Sequence, residues 1–389
     1  MADQFLFNRD TKFYIERGSD IWEIPILDGF SFSQAQNISE ITLNEASSSG
    51  TSRRGRQAFV DSLAPVEFSF STYMRPIVAT NGATGGWEGS GSENRHHAIE
   101  EPLWAMLVNA GAFTASDGAT EAAWADGIST STSALTIDFT GSEKPNMTNS
   151  FSVYFVLGGA TDTAGKAQQY QLTNAVINEA TIDFDIEGIA TIQWSGFADK
   201  IIDGGAALIT PTITEDITDT SNFIRNKLTT LALTNSNSLS SGTHNVVLTG
   251  GSITIANNIT YLTPETLGTI NRPLGDVNGT RSVTGNFTCY LNTETAASAD
   301  LFEDILESNN GTGTDVVTND FNLVLSIGGA SAPKVVFTMA QCHLEIPTHS
   351  FDDITSIDVA FHALPANLNP GSTAASYEIT SIVYTGTVA

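Results

Sequence analysis

Hydrophobic and polar residues alternate along several short stretches of this chain. In the clearest, TIDFDIEGIATIQWSG at 181–196, the even positions are apolar or glycine and the odd positions are polar except Ile189. A period of two is typical of a β-strand with one face in the core and the other in water. FSVYFVLGG at 151–159 alternates in the same way. Because such runs are separated by Gly and Asn, we predict a mainly β fold of antiparallel strands.

The chain also matches itself, which indicates an internal duplication. Five segments of the first half recur in the same order in the second half, at an offset that is 221 for GFSF at 29 and 170 for FSVY at 151. The matched pairs are QFLFNRDTKFYI with NFIRNKLTTLAL, GFSFSQAQNIS with GGSITIANNIT, FSFSTYM with GNFTCYL, LWAMLVN with LFEDILE, and FSVYFVLGGA with FNLVLSIGGA. The falling offset indicates loop insertions in the first copy.

The repeat predicts the domain organisation. We expect a first domain at 1–198, enlarged by the loop insertions, and a second domain at 221–389. The stretch between them, 199–220, ends in a polar and acidic sequence that suits a linker.

One helix is predicted in each copy. In EEPLWAMLVNAG at 100–111, Pro102 suits the first helical position and Gly111 suits the stop. ADLFEDILESNNG at 299–311 occupies the matching place in the second copy. Each copy is therefore predicted to be a β-rich α+β domain with one helix.

Composition narrows the function. The chain has 389 residues, with 16 Lys and Arg against 43 Asp and Glu and a formal net charge of −27. Tight nucleic-acid binding needs clustered cations, so the acidity excludes a protein that grips phosphates. Contact with nucleic acid by repulsion, and halophilic solubility, both remain open. Both copies are acidic, with 10 basic and 24 acidic residues in 1–198 and 5 and 14 in 221–389.

Arginines are nevertheless concentrated in one long loop of each copy. The loop of the first copy is SSSGTSRRGRQAFVDS at 47–62, and that of the second is PETLGTINRPLGDVNGTRS at 264–282. Loops of this length inside a compact domain are uncommon and are usually functional or disordered. Their arginines are Arg53, Arg54 and Arg56 in the first copy, and Arg272 and Arg281 in the second.

No segment predicts secretion or membrane insertion. An apolar h-region is absent near the N-terminus, and no run approaches the roughly 18 apolar residues of a membrane span. We therefore expect a protein made in the cytoplasm. Cys289 and Cys342 lie in strand-like stretches, where we expect two buried thiols rather than a disulfide or a metal site.

The sequence does not predict an enzyme, a metal site or a cofactor. His96 and His97 precede Glu100 and Glu101 in RHHAIEE. If the helix begins at Pro102, they are not held on one helical face, so a solvated approach to the helix is favoured over a metal site. No Ser, Cys or His lies in a recognisable nucleophile context.

Three carboxylates, Asp183, Asp185 and Glu187, share the polar face of the run at 181–196. Such a row is usually a solvent face, and a catalytic pair would require a pocket that sequence does not show. We retain them as candidates for a functional acidic surface.

The order of these segments resembles the tail tube protein of long-tailed bacteriophages. The order is a strand, a long loop, a strand, a helix beginning like EEPLWAMLVNAG, a strand ending in Gly-Gly, and a closing pair of strands. Nearly the whole chain takes part, twice, as in those members that fuse two tube domains. The resemblance implies a tandem β-sandwich or partial barrel with one flanking helix per copy.

The resemblance also implies an assembly. Three chains would form a ring with pseudo-sixfold symmetry, or six chains in the alternative, and rings would stack head to tail into a tube. The protein would belong to the virion and would contact itself and the terminator, tape measure and distal tail proteins, with no membrane. Double-stranded DNA would pass through without specific binding during genome ejection.

Two sets of residues receive roles from this resemblance. Asp183, Asp185 and Glu187 become candidates for an acidic channel lining, since a cationic lining would trap DNA. The long loop reaches the adjacent ring in the family, so its arginines are expected to meet carboxylates of that ring.

A second interpretation stays open. A β-sandwich decoration module of a virion surface, or a carbohydrate-binding adhesion module, would use Trp87, Trp124 and the inserted loops of the first copy as a binding face.

Overall fold

The computed structural model describes most of the chain. The described residues are 6–42, 48–50, 55–79, 87, 94–116, 121–140, 146–147, 151–158, 167–205, 207–214, 217–235, 242–262, 273, 275–309, 321–351, 353–366 and 377–387. Within them the fold is mainly β, as the alternation predicted, with two α-helices.

The first half contains fourteen strands and one helix. They are β1 (Lys12–Arg17), β2 (Asp20–Glu23), β3 (Ser31–Thr42), β4 (Arg56–Tyr73), β5 (Pro76–Ala79), β6 (Arg95–Ala98), α1 (Glu101–Leu107), β7 (Phe113–Thr114), β8 (Ala123–Trp124), β9 (Ile128–Thr130), β10 (Leu135–Ile137), β11 (Phe151–Leu157), β12 (Gln168–Asp185), β13 (Thr191–Ala198) and β14 (Lys200–Asp203).

The second half contains eleven strands and the other helix. They are β15 (Thr230–Asn235), β16 (Thr243–Val246), β17 (Leu248–Ala256), β18 (Thr260–Leu262), β19 (Gly275–Val277), β20 (Ser282–Tyr290), α2 (Ser298–Asn309), β21 (Phe321–Ile327), β22 (Lys334–Leu344), β23 (Thr348–Phe351), β24 (Thr355–Ala363) and β25 (Ser381–Thr385).

The long strand β12 belongs to two layers of the first half. Its C-terminal part pairs with β13, which pairs with β4, which pairs with β3. Its N-terminal part pairs with β11, which continues to β1 and β2. Aromatic side chains fill the space between the layers, where the ring of Phe13 on β1 lies 4.5 Å from that of Phe70 on β4.

The second half repeats this pairing strand for strand. β17, β20 and β24 follow one another as β3, β4 and β13 do, and β24 pairs with both β22 and β23. β22 continues to β21, β15 and β16, in the manner of β12, β11, β1 and β2. β25 lies on β22 as β14 lies on β12.

The two halves are joined by direct strand pairing. β12 and β17 form an antiparallel ladder from Glu179 opposite Ala256 to Asp185 opposite Gly250. A second junction pairs β10 of the first half with β25 of the second. We use the name joined sheet for β3, β4, β13, the C-terminal part of β12, β17, β20, β24 and β23, which follow one another in that order.

Three phenylalanines of the joined sheet lie directly opposite glycines on the neighbouring strand. The pairs are Phe68 with Gly196, Phe184 with Gly251, and Phe361 with Gly285. In each pair a Cβ on the glycine would lie only 2.5 or 2.6 Å from the phenylalanine Cζ. The ring therefore occupies the space that a side chain would need. One of these pairs, Phe184 with Gly251, joins the two halves.

Element boundaries differ from the sequence prediction in two places. α1 ends at Leu107 rather than near Gly111, because Asn109 adopts a left-handed conformation with φ of 51°. β14 pairs with β12, so residues 200–203 of the predicted linker extend the first sheet.

Candidate functional site

One face of the joined sheet is covered by small polar side chains. Residues directly opposite one another in neighbouring strands share a face, so the pairings define rows across the sheet. One row is Ser71, Gln193, Thr181, Thr254, Thr284 and His362, and the next is Tyr73, Thr191, Asp183, Ser252 and Asn286. The hydroxyl oxygens of Thr181 and Thr254 lie 3.2 Å apart across the junction of the two halves. We call this surface the polar face.

Carboxylates supply the charge on the polar face. Asp183 occupies a row near the centre of the joined sheet and is exposed. Glu67, Glu179 and Asp358 lie on the same face, opposite Phe197, Ser195 and Thr288 respectively. The rows named here contain no Lys or Arg. Glu67, Glu179 and Asp358 are not among the residues predicted from sequence, although Glu67 and Asp358 stand in the polar phase of alternating runs, VEFSFSTY and TSIDVAFHA.

Asp185 and Glu187 lie at the end of the joined sheet rather than along its centre. Asp185 is the last residue of β12, and one of its carboxylate oxygens accepts a hydrogen bond of 3.1 Å from the Glu187 backbone N–H. The Asn226 amide donates to the same oxygen at 3.4 Å. Both acidic side chains are exposed at the turn between β12 and β13.

The structure separates the predicted arginines. Arg53, Arg54 and Arg272 lie outside the described residues. Arg56 begins β4, and its guanidinium lies 3.0 Å from the Glu40 carboxylate on β3, with both side chains exposed.

The Arg281 side chain is mostly enclosed, contrary to its predicted role in an exposed loop. It pairs with Glu378 at 3.0 Å, and the two side chains are 8% and 12% exposed. Its guanidinium also lies over the Phe139 ring at 4.4 Å. Phe139 belongs to the first half, so Arg281 ties the two halves together and is not part of the contact surface that we propose below.

The outer parts of β3 and β4 form a hairpin that is exposed on both of its faces. Ile41 and Phe59 lie on one face and are 51% and 50% exposed, while Ile38 and Val60 form a direct pair on the other face and are 56% and 40% exposed. β18 and β19 form the corresponding hairpin of the second half. We call these two hairpins the arms.

The opposite end of the joined sheet is also apolar. β4 runs from the arm to Tyr73, which is opposite Thr191 just after the β12–β13 turn. This turn is therefore remote from the arms, and we call that end the turn end. Its large apolar side chains with substantial exposure are Ile186, Ile189, Tyr290, Phe351 and Ile354.

The joined sheet has two open edges. Within the described residues, β3 pairs only with β4, and β23 pairs only with β24. Unpaired strand edges are templates for pairing with another chain. The two edges lie at opposite limits of one sheet, so each is available to a different neighbour.

A buried polar cluster replaces the solvated approach to the helix that the sequence predicted. Glu101 and His97 are fully buried, and the His97 Nδ1 lies 2.9 Å from a Glu101 carboxylate oxygen. The Trp124 indole N–H donates to Glu101 at 2.7 Å, and the Ala98 backbone N–H donates at 3.3 Å. Two N–H donors and the His97 Nδ1 therefore converge on one carboxyl group.

Glu100 occupies a second buried position in this cluster. Desolvation by burial raises its pKa from 4.5 to about 7, although the Arg75 backbone N–H and the Tyr384 hydroxyl donate to the carboxylate. Tyr384 belongs to β25 and also accepts a hydrogen bond of 2.7 Å from the Trp104 indole N–H. The cluster thus connects α1 with the last strand of the second half. No group of three or more metal-ligating side chains is suitably placed within the described residues.

The two tryptophans proposed for a binding face are buried. Trp87 and Trp124 are 3% and 5% exposed. Trp124 stacks on Trp22 with a centroid distance of 5.9 Å, and Trp87 contacts Phe113 edge to face at 5.8 Å. The insertions of the first copy therefore add a local aromatic core, and these tryptophans do not form a binding surface. Cys289 and Cys342 are buried and unpaired, as predicted.

No helix in the described part of the chain is long and apolar enough to span a membrane.

Comparison with known proteins identifies the family. The profile of the family described as phage tail tube protein matches residues 29–380. The chain is also similar to the tail tube protein pb6 of Escherichia phage T5, with 30% identity over 357 residues, covering 90% of this chain and 69% of the relative. The chain therefore belongs to the phage tail tube protein family, whose members are structural components of the virion tail.

Proposed function

We propose that three copies of this chain close into a ring of six similar domains whose joined sheets form one continuous channel wall. The observation that supports this most strongly is the β12–β17 ladder. It already joins the two similarly paired halves side by side, and it leaves β3 and β23 open at the two limits of the sheet. Repeating the junction between chains consumes both edges, and a closed barrel has no edge left.

The polar face would line the channel. Its opposite face packs in the core, so it is the surface that a closed ring can present to the interior. Hydroxyl side chains keep such a wall hydrated, and the carboxylates of Glu67, Asp183 and Asp358 repel the phosphates of a duplex that carries about one charge per 1.7 Å. DNA would therefore pass during genome ejection without being held.

Rings would stack head to tail through the arms and the turn end. The two surfaces differ and lie at opposite ends of the sheet, so the contact is heterologous and builds an open filament. Apolar side chains on both surfaces supply burial, while the arginines of the loop at 47–62 are proposed to meet carboxylates such as Asp185 and Glu187. The terminator, tape measure and distal tail proteins would meet the ends or the interior of this tube.

A ring-averaged electron microscopy projection, combined with the mass of the isolated ring, tests the number of chains and the number of lobes in the ring. Three chains giving six similar lobes around a hole are expected. Six chains in each ring would contradict the stoichiometry, and a chain that stays monomeric at all salt and protein concentrations would contradict the assembly.

Reversing the charge of the wall should slow DNA passage. In phage carrying Asp183→Lys and Asp358→Lys, tubes should assemble, but DNA release should slow at least several-fold because the new cations bind phosphates. Release is measured as dye-labelled DNA leaving the capsid after triggering. Glu303→Lys, an exposed change on α2, serves as the control. Unchanged kinetics in the double variant would remove these residues from the wall.

Changes in the arm should block stacking while leaving rings intact. Ile41→Asp with Phe59→Asp places charges on one exposed face of the arm, so the chain should fold and form rings that do not polymerise. Arg53→Glu, Arg54→Glu and Arg56→Glu together should give the same result if the basic loop meets carboxylates. Sedimentation separates rings from tubes, and Leu306→Asp on α2 is the matched control. Tubes of normal length from either arm variant would reject that variant's proposed contact.

A further inference from the structure

Comparison of the strand pairings in the two halves shows which residue of β23 corresponds to each residue of β12. In the first half, Ile182 lies opposite Ile192, and Ile192 lies opposite Thr72 on β4. In the second half, His349 lies opposite Ile357, and Ile357 lies opposite Cys289 on β20. His349 therefore holds the place of Ile182, and by the same register Phe351 holds the place of Phe184.

The other edge is matched in the same way. Ser31 on β3 lies opposite Ser69, and Ser252 on β17 lies opposite Asn286. Because β4 and β20 occupy the same position in their halves, Ser31 corresponds to Ser252. Phe32 then corresponds to Ile253, and Phe30 to Gly251.

We propose that β23 of one chain pairs antiparallel with β3 of the next chain, with His349 opposite Phe32 and Ser350 opposite Ser31. This inference rests on the proposed ring and adds the residues and register of its closure. The template is the ladder inside the chain, where Ile182 lies opposite Ile253 and Asp183 opposite Ser252.

The exposure of Phe351 supports this closure. Phe351 is 81% exposed, whereas Phe184, its counterpart at the internal junction, is 4% exposed because it packs over Gly251 of the second half. Burial of a phenylalanine side chain is favourable because it removes a large apolar surface from water. In the proposed register Phe30, directly before the neighbouring β3, stands where Gly251 stands at the internal junction. The Phe351 ring would therefore pack against the Phe30 ring rather than over a glycine.

Both edges present aromatic rings. Phe351 stacks on His349 with a centroid distance of 6.0 Å, and His349 packs edge to face on Phe302 of α2 at 4.8 Å. On the other edge, Phe30 and Phe32 stack on Phe155 at 5.3 and 4.8 Å. The junction between chains is therefore aromatic, whereas the internal junction pairs Ile182 with Ile253.

Pro347 limits the length of the ladder between chains. It directly precedes β23 and holds the place of Ala180, which lies opposite Ile255 at the internal junction. Proline has no N–H and is confined to edge strands and strand ends within sheets. Pairing between chains is thus centred on β23, Thr348–Phe351, and is shorter than the internal ladder that starts at Glu179.

Engineered disulfides test the register. Thr348 and Ser33 hold the places of Thr181 and Thr254, whose hydroxyl oxygens lie 3.2 Å apart. Chains with Ser33→Cys and Thr348→Cys, assembled and mildly oxidised, should run mostly as covalent trimers on non-reducing gels. Both native cysteines are buried, which keeps the background low. Ala35→Cys with Thr348→Cys, two residues out of register, should cross-link at least several-fold more slowly.

The outcomes separate the register from the ring. Tubes that assemble normally but cross-link faster through the Ala35 variant, or through neither pair, would overturn the register and leave the ring standing. A wild-type chain that never forms rings would instead overturn the proposed function.

A second variant tests the aromatic contact. Phe351→Ser should leave the monomer folded, because the side chain is already exposed, and should raise the concentration needed for ring formation at least tenfold. Leu306→Ser, at a residue of α2 that is 36% exposed and belongs to neither proposed interface, should assemble at close to the wild-type concentration. Ring formation by Phe351→Ser at the wild-type concentration would contradict the docking of Phe351.

Discussion

Replacing Gly251 with valine should destabilise the protein by about 3 kcal/mol or more, the largest effect that we expect from a single side chain. A Cβ at this position would lie 2.6 Å from the Phe184 Cζ and closer still to the Asn286 backbone oxygen. Relief requires either moving the Phe184 ring or opening the ladder between the halves. Overpacking that forces such shifts typically costs about 1–3 kcal/mol and occasionally more. Thermal and urea unfolding of the purified chain measure the effect.

Gly250 provides the matched control. A Cβ there would meet its nearest neighbour, the Phe184 backbone oxygen, at 3.4 Å, which is ordinary contact. Gly250→Val should therefore cost less than about 1 kcal/mol, since valine suits a strand. If the two valine variants lose the same free energy of unfolding, packing of the Phe184 ring does not require a glycine at position 251.

Replacing each of two adjacent buried glutamates with glutamine should have opposite effects on the free energy of unfolding. Glu101→Gln should lower stability by about 1–3 kcal/mol at every pH, because an amide nitrogen would face the N–H donors of Trp124 or Ala98. Glu100→Gln should raise stability at pH 8. Glutamine keeps the size of the side chain and remains neutral in a site that opposes ionisation.

The sign for Glu100 follows from its raised pKa. Between 4.5 and about 7 the folded chain retains a proton on Glu100 that the unfolded chain has released. Stability therefore falls as pH rises through this window, by about 3 kcal/mol for a shift of this size, and then stays level. At pH 8 Glu100→Gln should recover up to that amount, while at pH 4 the two proteins should be similar.

Urea unfolding at pH 4, 6 and 8 distinguishes these outcomes. A Glu100→Gln protein with the wild-type dependence on pH would show that Glu100 is not the titrating group. A Glu101→Gln protein as stable as the wild type would show that the groups bonded to Glu101 find other partners.

Alternation was sufficient to predict the strands at 151–159 and 181–196. The run at 181–196 predicted β12 and β13, with Ile182, Phe184, Ile192 and Trp194 in the core, because a period of two survives wherever one face stays solvated. Ile186 is the exception, at 47% exposed. It lies in the turn after β12 ends, where the chain no longer follows strand geometry.

Features that depend on contacts between distant segments were not predictable. Trp87 stands in a glycine-rich stretch that reads as a surface loop, yet it is buried against Phe113. Glu101 and His97 read as solvated because their partner Trp124 is 23 positions away from Glu101. Arg281 looked like a loop arginine, because its partner Glu378 lies 97 positions further on. Local pattern describes a residue's own segment and not the segment that covers it.

The internal ladder also changes how assembly of the proposed ring would depend on protein concentration. Since β12 and β17 belong to one chain, their pairing is intramolecular and proceeds at an effective concentration set by the connecting segment rather than by the amount of protein. Only the junctions between chains require collisions. At equilibrium the ring concentration would therefore depend on the third power of the free chain concentration, where unfused domains would give the sixth power. Dilution would act on those junctions alone, and a dissociating ring would release whole two-domain chains.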